Sequence, residues 1–473
     1  AGGQPGVQAV SEGGAVEGEV MQATMGRRPA MRRKGDSKRS MVRVVLRGAA
    51  GVGLLLLFVF KEVLITHGLF LRTFFRSSIS ATPPPIKLDI GYWNKLQFKT
   101  ILILRYLAKD QFAYQRWMKR VHDRILHRLE ATGAPVQYGQ SLPIATVRPG
   151  ELEPREFWKR YVRTGTPVII KGGAADSSAC QRWTPEYFAG HYGDFKVNII
   201  EQQSNEHSVG TFADVVASEG TDHKLYIHNS ASIFSYNPEL FDDLDCLSYT
   251  QHMGGRRTMF LGAQLFLGVH PTTGTEAHSA SNTNLFFQVY GKKKWTFVHP
   301  DYLWLMYPAL NRFFLFCASF VRQEYTPDYL EQHAPLQRYC PRYEAVLEPG
   351  DILLNPPWQW HAINNVTDRS IGVATRWTSV GPVHRTNTFF DLCQLLSPAI
   401  WRLRLQGMLS APGEPVIIDE NTRGLVNSHD DYIDFGKTGA ARDYMDFHQW
   451  PEQWRFAGGQ GPEVAAASEP TTT

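Results

Sequence analysis

The sequence predicts a mainly β protein whose core is a jelly roll, or double-stranded β-helix, with flanking helices before and after it and an N-terminal membrane segment. From Pro143 to about Val380, short apolar runs are separated by Gly, Pro and Asp, which is typical of strands joined by turns. Two strand-like segments of this region, 265–300 and 347–365, each carry a histidine next to an apolar run. Segments so far apart in sequence become neighbours in a jelly roll.

Composition excludes several classes of protein. With 473 residues, 43% of them hydrophobic and 12% aromatic, the chain can bury one large or two ordinary cores. Much of the net charge of +4 comes from a basic stretch at 27–47, outside any folded domain, which argues against nucleic acid as a partner. Five cysteines without a C-x-x-C pair indicate neither a zinc site nor a dense disulfide framework.

The N-terminal region predicts association with a membrane. Residues 1–47 form a disordered leader that ends in the basic stretch, and the uncharged run 48–60 follows directly. A second apolar piece extends to Leu71, beyond Lys61 and Glu62. A basic flank before an apolar segment favours a signal anchor at 48–71, so we expect a single-pass endomembrane protein with its main domain in the lumen. An Arg-rich organelle-targeting leader is the alternative.

The remaining chain divides into four regions. The stiff sequence ATPPP at 81–85 opens region 81–141, a linker followed by amphipathic helices whose apolar residues recur at helical spacing. The β domain is expected at 142–380. A helical extension is expected at 381–456 and is a candidate for a homodimer contact. Residues 457–473 are a low-complexity, disordered tail.

The two histidine-bearing segments point to metal chemistry. A non-haem iron oxygenase holds Fe(II) with two imidazoles and a carboxylate, leaving the remaining positions open. An H-x-D or H-x-E pattern supplies two of these ligands from one face of a strand, because side chains alternate with period two. His278 and His361 fill the two histidine positions, whereas Ala280 occupies the carboxylate position. A methyl group cannot bind a metal.

Region 142–380 resembles the JmjC, cupin-like family of Fe(II)/2-oxoglutarate-dependent oxygenases, and within it the small protein hydroxylases. The resemblance is carried by the stretch at 155–194, by GKKKW at 291–295 and by PGDILLNPPWQWHAI at 349–363. It implies iron(II) and 2-oxoglutarate as cofactors, with His278 and His361 as metal ligands. Thr375 is a weaker match to a polar position late in the domain. The residues that match the family's cosubstrate-binding positions are Thr275, Lys293, Asn284 and Tyr226.

Three interpretations of Ala280 remain open. The site is that of a pseudoenzyme, or it is active with an open coordination position as in the 2-oxoglutarate halogenases, or Glu276 supplies a displaced carboxylate. Of the active alternatives, halogenation is the weaker, because the analogy rests on one position. The leading expectation is a membrane-tethered dioxygenase that acts on a protein side chain or a small molecule. The alternative is a catalytically silent binding or scaffold module of a membrane assembly.

Overall fold

The computed structural model describes residues 34–108, 111–137, 140–151, 153–201, 206–255, 258–271, 274–310, 316–319, 331 and 334–394. The chain divides into two compact units, 1–65 and 66–473. Helix α1, Lys34–Phe74, begins in the first unit and contains the segment predicted as a signal anchor. Within the described ranges, no helix combines the length and the apolar character that a membrane span requires. The predicted N-terminal membrane segment is therefore not supported.

Two amphipathic helices precede the β domain, α2 at Tyr92–Ala108 and α3 at Gln111–Ala131. Phe98, Ile101 and Leu102 of α2 are buried, and so are Val121 and other residues of α3 at intervals of three or four. This spacing places the apolar side chains of each helix on one face. That face packs into the same core as the 3₁₀ segment at Pro300–Leu305.

Sixteen strands dominate the described part of the second unit, and the prediction of a mainly β, cupin-like core is confirmed. They are β1 Ser141–Pro143, β2 Ala145–Val147, β3 Val168–Ile170, β4 Lys196–Glu201, β5 Glu206–Thr211, β6 Leu225–Ser230, β7 Met259–Gly268, β8 Gly274–Ala280, β9 Thr283–Tyr290, β10 Lys293–Val298, β11 Pro308–Leu310, β12 Phe316–Ser319, β13 Arg342–Leu347, β14 Ile352–Asn355, β15 Trp360–Asn365 and β16 Ser370–Thr378. Short helices lie at Pro154–Phe157, Ser178–Arg182, Pro185–Tyr192, Phe212–Ala217, Ser232–Tyr236 and Glu239–Leu244, and two more follow the last strand at Val380–Thr386 and Thr388–Gln394.

The strands form two sheets. The seven-stranded sheet has the order β1-β13-β10-β15-β8-β12-β11, and the nine-stranded sheet has the order β2-β3-β14-β9-β16-β7-β6-β4-β5. Strands far apart in sequence are therefore neighbours, such as β8 and β15 in one sheet and β9 and β16 in the other. Long crossings of this kind are what a jelly roll requires.

Period-two alternation separates the core into layers. On β9, Phe286 points into an aromatic core that strands of both sheets line, while its neighbours Leu285 and Phe287 point to the opposite side of the nine-stranded sheet. On β16, Ala374 points inward and Val373 outward in the same way. Two positions further along the same inward face, Asn284 on β9 and Arg376 on β16 line the candidate site.

The end of α1 is held by a buried lysine. Lys99 is fully buried, and its Nζ donates hydrogen bonds to the carbonyl oxygens of Thr73 at 3.0 Å, Phe74 at 3.1 Å and Arg76 at 2.7 Å. The last carbonyls of a helix have no intrahelical partner, and a cation there also interacts favourably with the helix dipole. Lys99 therefore caps α1.

The chain after α1 is held by a buried carboxylate. Asp301 accepts hydrogen bonds from the backbone N–H groups of Ile79 at 2.8 Å and Ser80 at 2.9 Å, and from the hydroxyl of Ser78 at 2.7 Å. Three donors on one carboxylate compensate for its burial.

Of the predicted C-terminal extension, 381–394 lies in the described ranges and contains the two helices given above. The proposed homodimer contact beyond 394 lies outside the described residues.

Candidate functional site

The site is a cavity between the two sheets. The space between its walls, together with open solvent at its mouth, is about 620 Å³, but the centre of a water molecule can occupy only about 40 Å³ of it. At ~10–15 Å³ for each water position, this is room for roughly three waters. The cavity is narrow in this conformation. It is lined by His228, Asn229, Gln264, Phe266, Thr275, His278, Ala280, Ser281, Asn282, Asn284, Phe286, Trp295, Phe316, His361, Ile363 and Arg376.

The structure brings the two predicted metal-binding histidines together. His278 on β8 lies directly opposite His361 on β15, and their ring centroids are 4.0 Å apart. Aromatic rings support both imidazoles: Phe316 stacks on His278 with centroids 5.1 Å apart, and Trp295 stacks on His361 at 5.6 Å. Ala280 lines the same cavity, as expected from its position two residues after His278.

Both ring nitrogens of His361 have hydrogen-bond partners. Nδ1 lies 2.8 Å from the carbonyl oxygen of Gln359, so Nδ1 carries the proton and donates it. Nε2 consequently accepts a hydrogen bond from Nδ2 of Asn355 at 3.1 Å. Burial holds the pKa of His361 well below its usual value, and the nearby charge of His278 lowers it further. His361 is therefore a neutral imidazole whose Nε2 lone pair is directed at the Asn355 amide.

Two of the four predicted cosubstrate residues line the cavity. Asn284 projects from β9, and Oγ1 of Thr275 lies 3.3 Å from Nε2 of His228. A register shift in the β8–β15 pairing separates Thr275 from His278, because three positions on β8 oppose two on β15. The alternation of side chains along β8 therefore cannot be continued from His278 across this irregularity, so it does not predict which face Glu276 occupies. The backbone of Glu276 belongs to β8, but its side chain lies outside the described residues.

The other two predicted cosubstrate residues do not line the cavity. Lys293 is fully buried, and its Nζ donates to Oδ1 of Asn365 at 2.6 Å and to the hydroxyl of Tyr226 at 3.5 Å. Burial lowers the pKa of Lys293 to about 7 and raises the pKa of Tyr226 above its usual range. Both side chains point inward, but they form a separate buried cluster with Asn365. Their contact with a cosubstrate stays a prediction.

Thr375 also faces away from the cavity, since its hydroxyl donates to the carbonyl oxygen of Leu285 at 2.8 Å. The next residue on β16, Arg376, lines the cavity instead. Sequence reasoning missed Arg376. The signal that could have found it is an arginine inside the apolar strand SIGVATRWT, at even spacing from the inward-facing Ala374.

A comparison with protein families identifies the domain that contains this cavity. The family model of the cupin-like domain matches residues 154–380, which include β3 to β16 and every residue that lines the cavity. This stretch of the chain is a cupin-like domain. The resemblance of this region to the JmjC, cupin-like family is confirmed at that level.

Two curated relatives share less than a quarter of their aligned residues with this chain. HSPB1-associated protein 1 of Bos taurus is 22% identical over 208 residues, which is 43% of this chain and 40% of that protein. HSPB1-associated protein 1 of Homo sapiens is 23% identical over 154 residues, 32% of this chain and 29% of that protein. The chain therefore covers less than half the length of these curated relatives.

Among its described side chains, the cupin-like domain lacks the set of three ligands that holds iron(II) in this class of enzyme. In the described ranges, no group of three His, Cys, Asp or Glu side chains is placed to share a metal. Ala280 supplies no donor, and the Nε2 lone pair of His361 already accepts a hydrogen bond. A guanidinium, that of Arg376, lines the same cavity and repels a divalent cation. The described side chains of the cavity therefore do not fit the iron centre that the resemblance implies.

Proposed function

We propose that the cupin-like domain is a ligand-binding module that neither holds iron nor oxygenates a substrate. The single observation that carries this proposal is the hydrogen-bonding of His361, whose Nδ1 donates to Gln359 and whose Nε2 accepts from Asn355. A histidine that binds a metal commonly donates its other N–H to a carbonyl, as His361 does, but its ligating nitrogen must then be free. Here the Asn355 amide takes that place.

The charges in the cavity support the same conclusion. Iron(II) sites of this type carry a carboxylate that offsets part of the metal charge. This cavity carries a methyl group at Ala280 and a guanidinium from Arg376, so its described side chains favour an anion over a cation. What the cavity retains is two imidazole rings, several amide and hydroxyl groups and aromatic walls. That combination is typical of a small-molecule binding site.

A 2-oxoglutarate-dependent oxygenase with a two-histidine iron site is the second candidate. The observation in its favour is the placement of His278 opposite His361 in one cavity, with ring centroids 4.0 Å apart. It requires the Asn355 amide to release Nε2 of His361 when iron binds. It also requires Lys293 to reach a ligand from its present cluster.

Anaerobic titration of Fe(II) into the full chain, together with an assay of succinate release from 2-oxoglutarate, distinguishes the two candidates. We expect substoichiometric iron and no succinate from the wild type. One tightly bound iron per chain with succinate release would overturn the proposal in favour of the oxygenase.

A variant that adds a metal ligand tests whether the missing carboxylate limits iron binding. Ala280→Asp combined with Arg376→Met restores a carboxylate and removes the competing cation, so we expect it to bind Fe(II) more tightly than the wild type. The matched control adds His278→Ala to the same double variant and is expected to lose the gained affinity. If the double variant gains nothing while remaining folded, the missing carboxylate is not what limits iron binding, and the charge argument fails.

A further inference from the structure

Arg376 is a half-buried cation whose partners are neutral. Its Nε donates to Oε1 of Gln264 at 2.7 Å and its Nη2 to Oδ1 of Asn229 at 3.4 Å. A guanidinium has five N–H donors, so these two hydrogen bonds leave part of the fork without an acceptor among the described residues. Its side chain remains partly accessible from the cavity, yet protein surrounds it closely enough that burial lowers the pKa of Arg376 to about 10.

Comparison with Arg369 shows that the lack of a carboxylate partner is unusual for Arg376. Arg369, just before β16, donates to carboxylates of Glu186 and Glu219. No carboxylate of the described residues lies within salt-bridge distance of Arg376. A buried charge without a counter-charge costs free energy, and an anionic ligand at the guanidinium would offset that cost. The planar fork matches a carboxylate in bidentate geometry.

A second polar atom lies beside this cation. Asn284 is paired with Arg376 across β9 and β16 and lines the same cavity. Its amide oxygen is buried without a hydrogen-bond partner among the described residues. An unpartnered buried acceptor is costly, so it marks where a donor on a ligand would bind. Asn229, which positions the guanidinium, has a positive φ of 57°, a backbone conformation that clusters at binding sites.

The remaining walls set the size and polarity of the ligand. Phe266, Phe286, Trp295 and Ile363 form an apolar wall beyond the polar groups. Room for roughly three waters, each with a share of ~30 Å³ in the liquid, corresponds to a ligand of about 90 Å³. This is close to the size of a short hydroxy acid. 2-Oxoglutarate, with its longer chain and second carboxylate, is larger.

We infer that Arg376 and Asn284 together bind a short monocarboxylate that carries a hydroxyl or N–H group next to the carboxylate. Arg376 holds the carboxylate, Asn284 accepts the hydrogen bond from the neighbouring group, and the short carbon chain faces the aromatic wall. The inference rests on the proposed function, since it requires a cavity without iron. It goes further by naming the chemical class of the ligand and the two residues that select it.

Calorimetric titration of the chelator-treated protein with L-lactate, propionate and 2-oxoglutarate tests the inference. We expect L-lactate to bind more tightly than propionate, which lacks the hydroxyl, and more tightly than 2-oxoglutarate. Arg376→Met should weaken L-lactate binding at least ~10-fold, as expected for loss of charged hydrogen bonds. Arg376→Lys, which keeps the charge and loses the fork, should weaken it less. Arg369→Gln is the matched control and should bind like the wild type.

Asn284→Ala provides an independent measurement. It should retain carboxylate binding, but the ratio of its affinities for L-lactate and propionate should fall towards one. Absence of carboxylate binding by the wild type overturns the inference, and so does unchanged binding by folded Arg376→Met or Arg376→Lys. The carboxylate titrations use metal-free protein, so they decide this inference independently of iron. Tight iron binding found in the separate iron titration would overturn the proposed function.

Discussion

Replacing Lys293 with methionine is expected to stabilise the protein at low pH, and the gain is expected to disappear as the pH rises. Burial lowers the pKa of Lys293 from 10.5 to about 7. The unfolded chain therefore binds a proton that the folded protein lacks between about pH 7 and pH 10.5, and wild-type stability rises across that window. Below the folded pKa both states are protonated, so the full cost of burying the charge is present there.

The magnitude follows from the same two values. At 1.36 kcal/mol per pKa unit, the difference between 10.5 and about 7 corresponds to ~5 kcal/mol. Lys293→Met removes this cost and loses hydrogen bonds worth about 1 kcal/mol. Oδ1 of Asn365 retains a donor, the hydroxyl of Ser370 at 2.8 Å. We therefore expect the variant to be more stable than the wild type by roughly 3–4 kcal/mol near pH 6, and to show no advantage near pH 10.

Urea unfolding followed by tryptophan fluorescence, repeated at several pH values, measures this difference. The matched control is Lys294→Met, the next residue on β10, whose side chain is 43% exposed and forms an ion pair with Glu344 at 3.1 Å. Its effect on stability should be small and nearly independent of pH across the same window. A Lys293→Met protein that is less stable than the wild type near pH 6, or whose difference does not change with pH, would refute the reasoning.

Four further substitutions test other contacts by the same unfolding measurement. Lys99→Met should not show the gain expected for Lys293→Met: burial lowers the pKa of Lys99 to about 8, but relief of that burial cost is offset because three carbonyls lose a charged donor; a gain as large as that of Lys293→Met would contradict the capping role. Asp301→Ala should destabilise by roughly 2–4 kcal/mol because three donors lose their acceptor, and Ser78→Ala, which removes one of them, should cost less. Gly291→Ala should destabilise by about 1–3 kcal/mol or more, because Gly291 has a φ of +64° and an added Cβ would lie 1.9 Å from a backbone oxygen; a neutral effect would show that the turn can adjust.

Local pattern was sufficient for some parts of this protein. The turn-separated apolar runs predicted the mainly β core, and helical spacing placed helices where α2 and α3 occur. Motif register placed His278 and His361 in one cavity with Ala280. In each of these cases the deciding information lies in the period of the sequence or in a short motif.

Other features depended on contacts between distant residues. The register shift beside His278 depends on how β8 meets β15, and no local pattern indicates it. An inward-facing residue lines the cavity only if its position along the strand lies beside the cavity. Arg376 has such a position, whereas Lys293 lies elsewhere and forms a separate cluster. The flanks and length of the apolar segment at 48–71 predict a signal anchor, but within the described ranges no helix is long and apolar enough to span a membrane.

The sequence by itself determined that this chain contains a cupin-like β domain and that alanine stands where a metal-binding carboxylate is expected. Strand periodicity and motif order depend on neighbours within a few residues, so they can be read directly. Only the tertiary structure decided that Asn355 engages His361 and that the guanidinium of Arg376 shares the cavity. The direction of a lone pair and the balance of charge in a cavity are set by side chains that the fold brings together from distant strands.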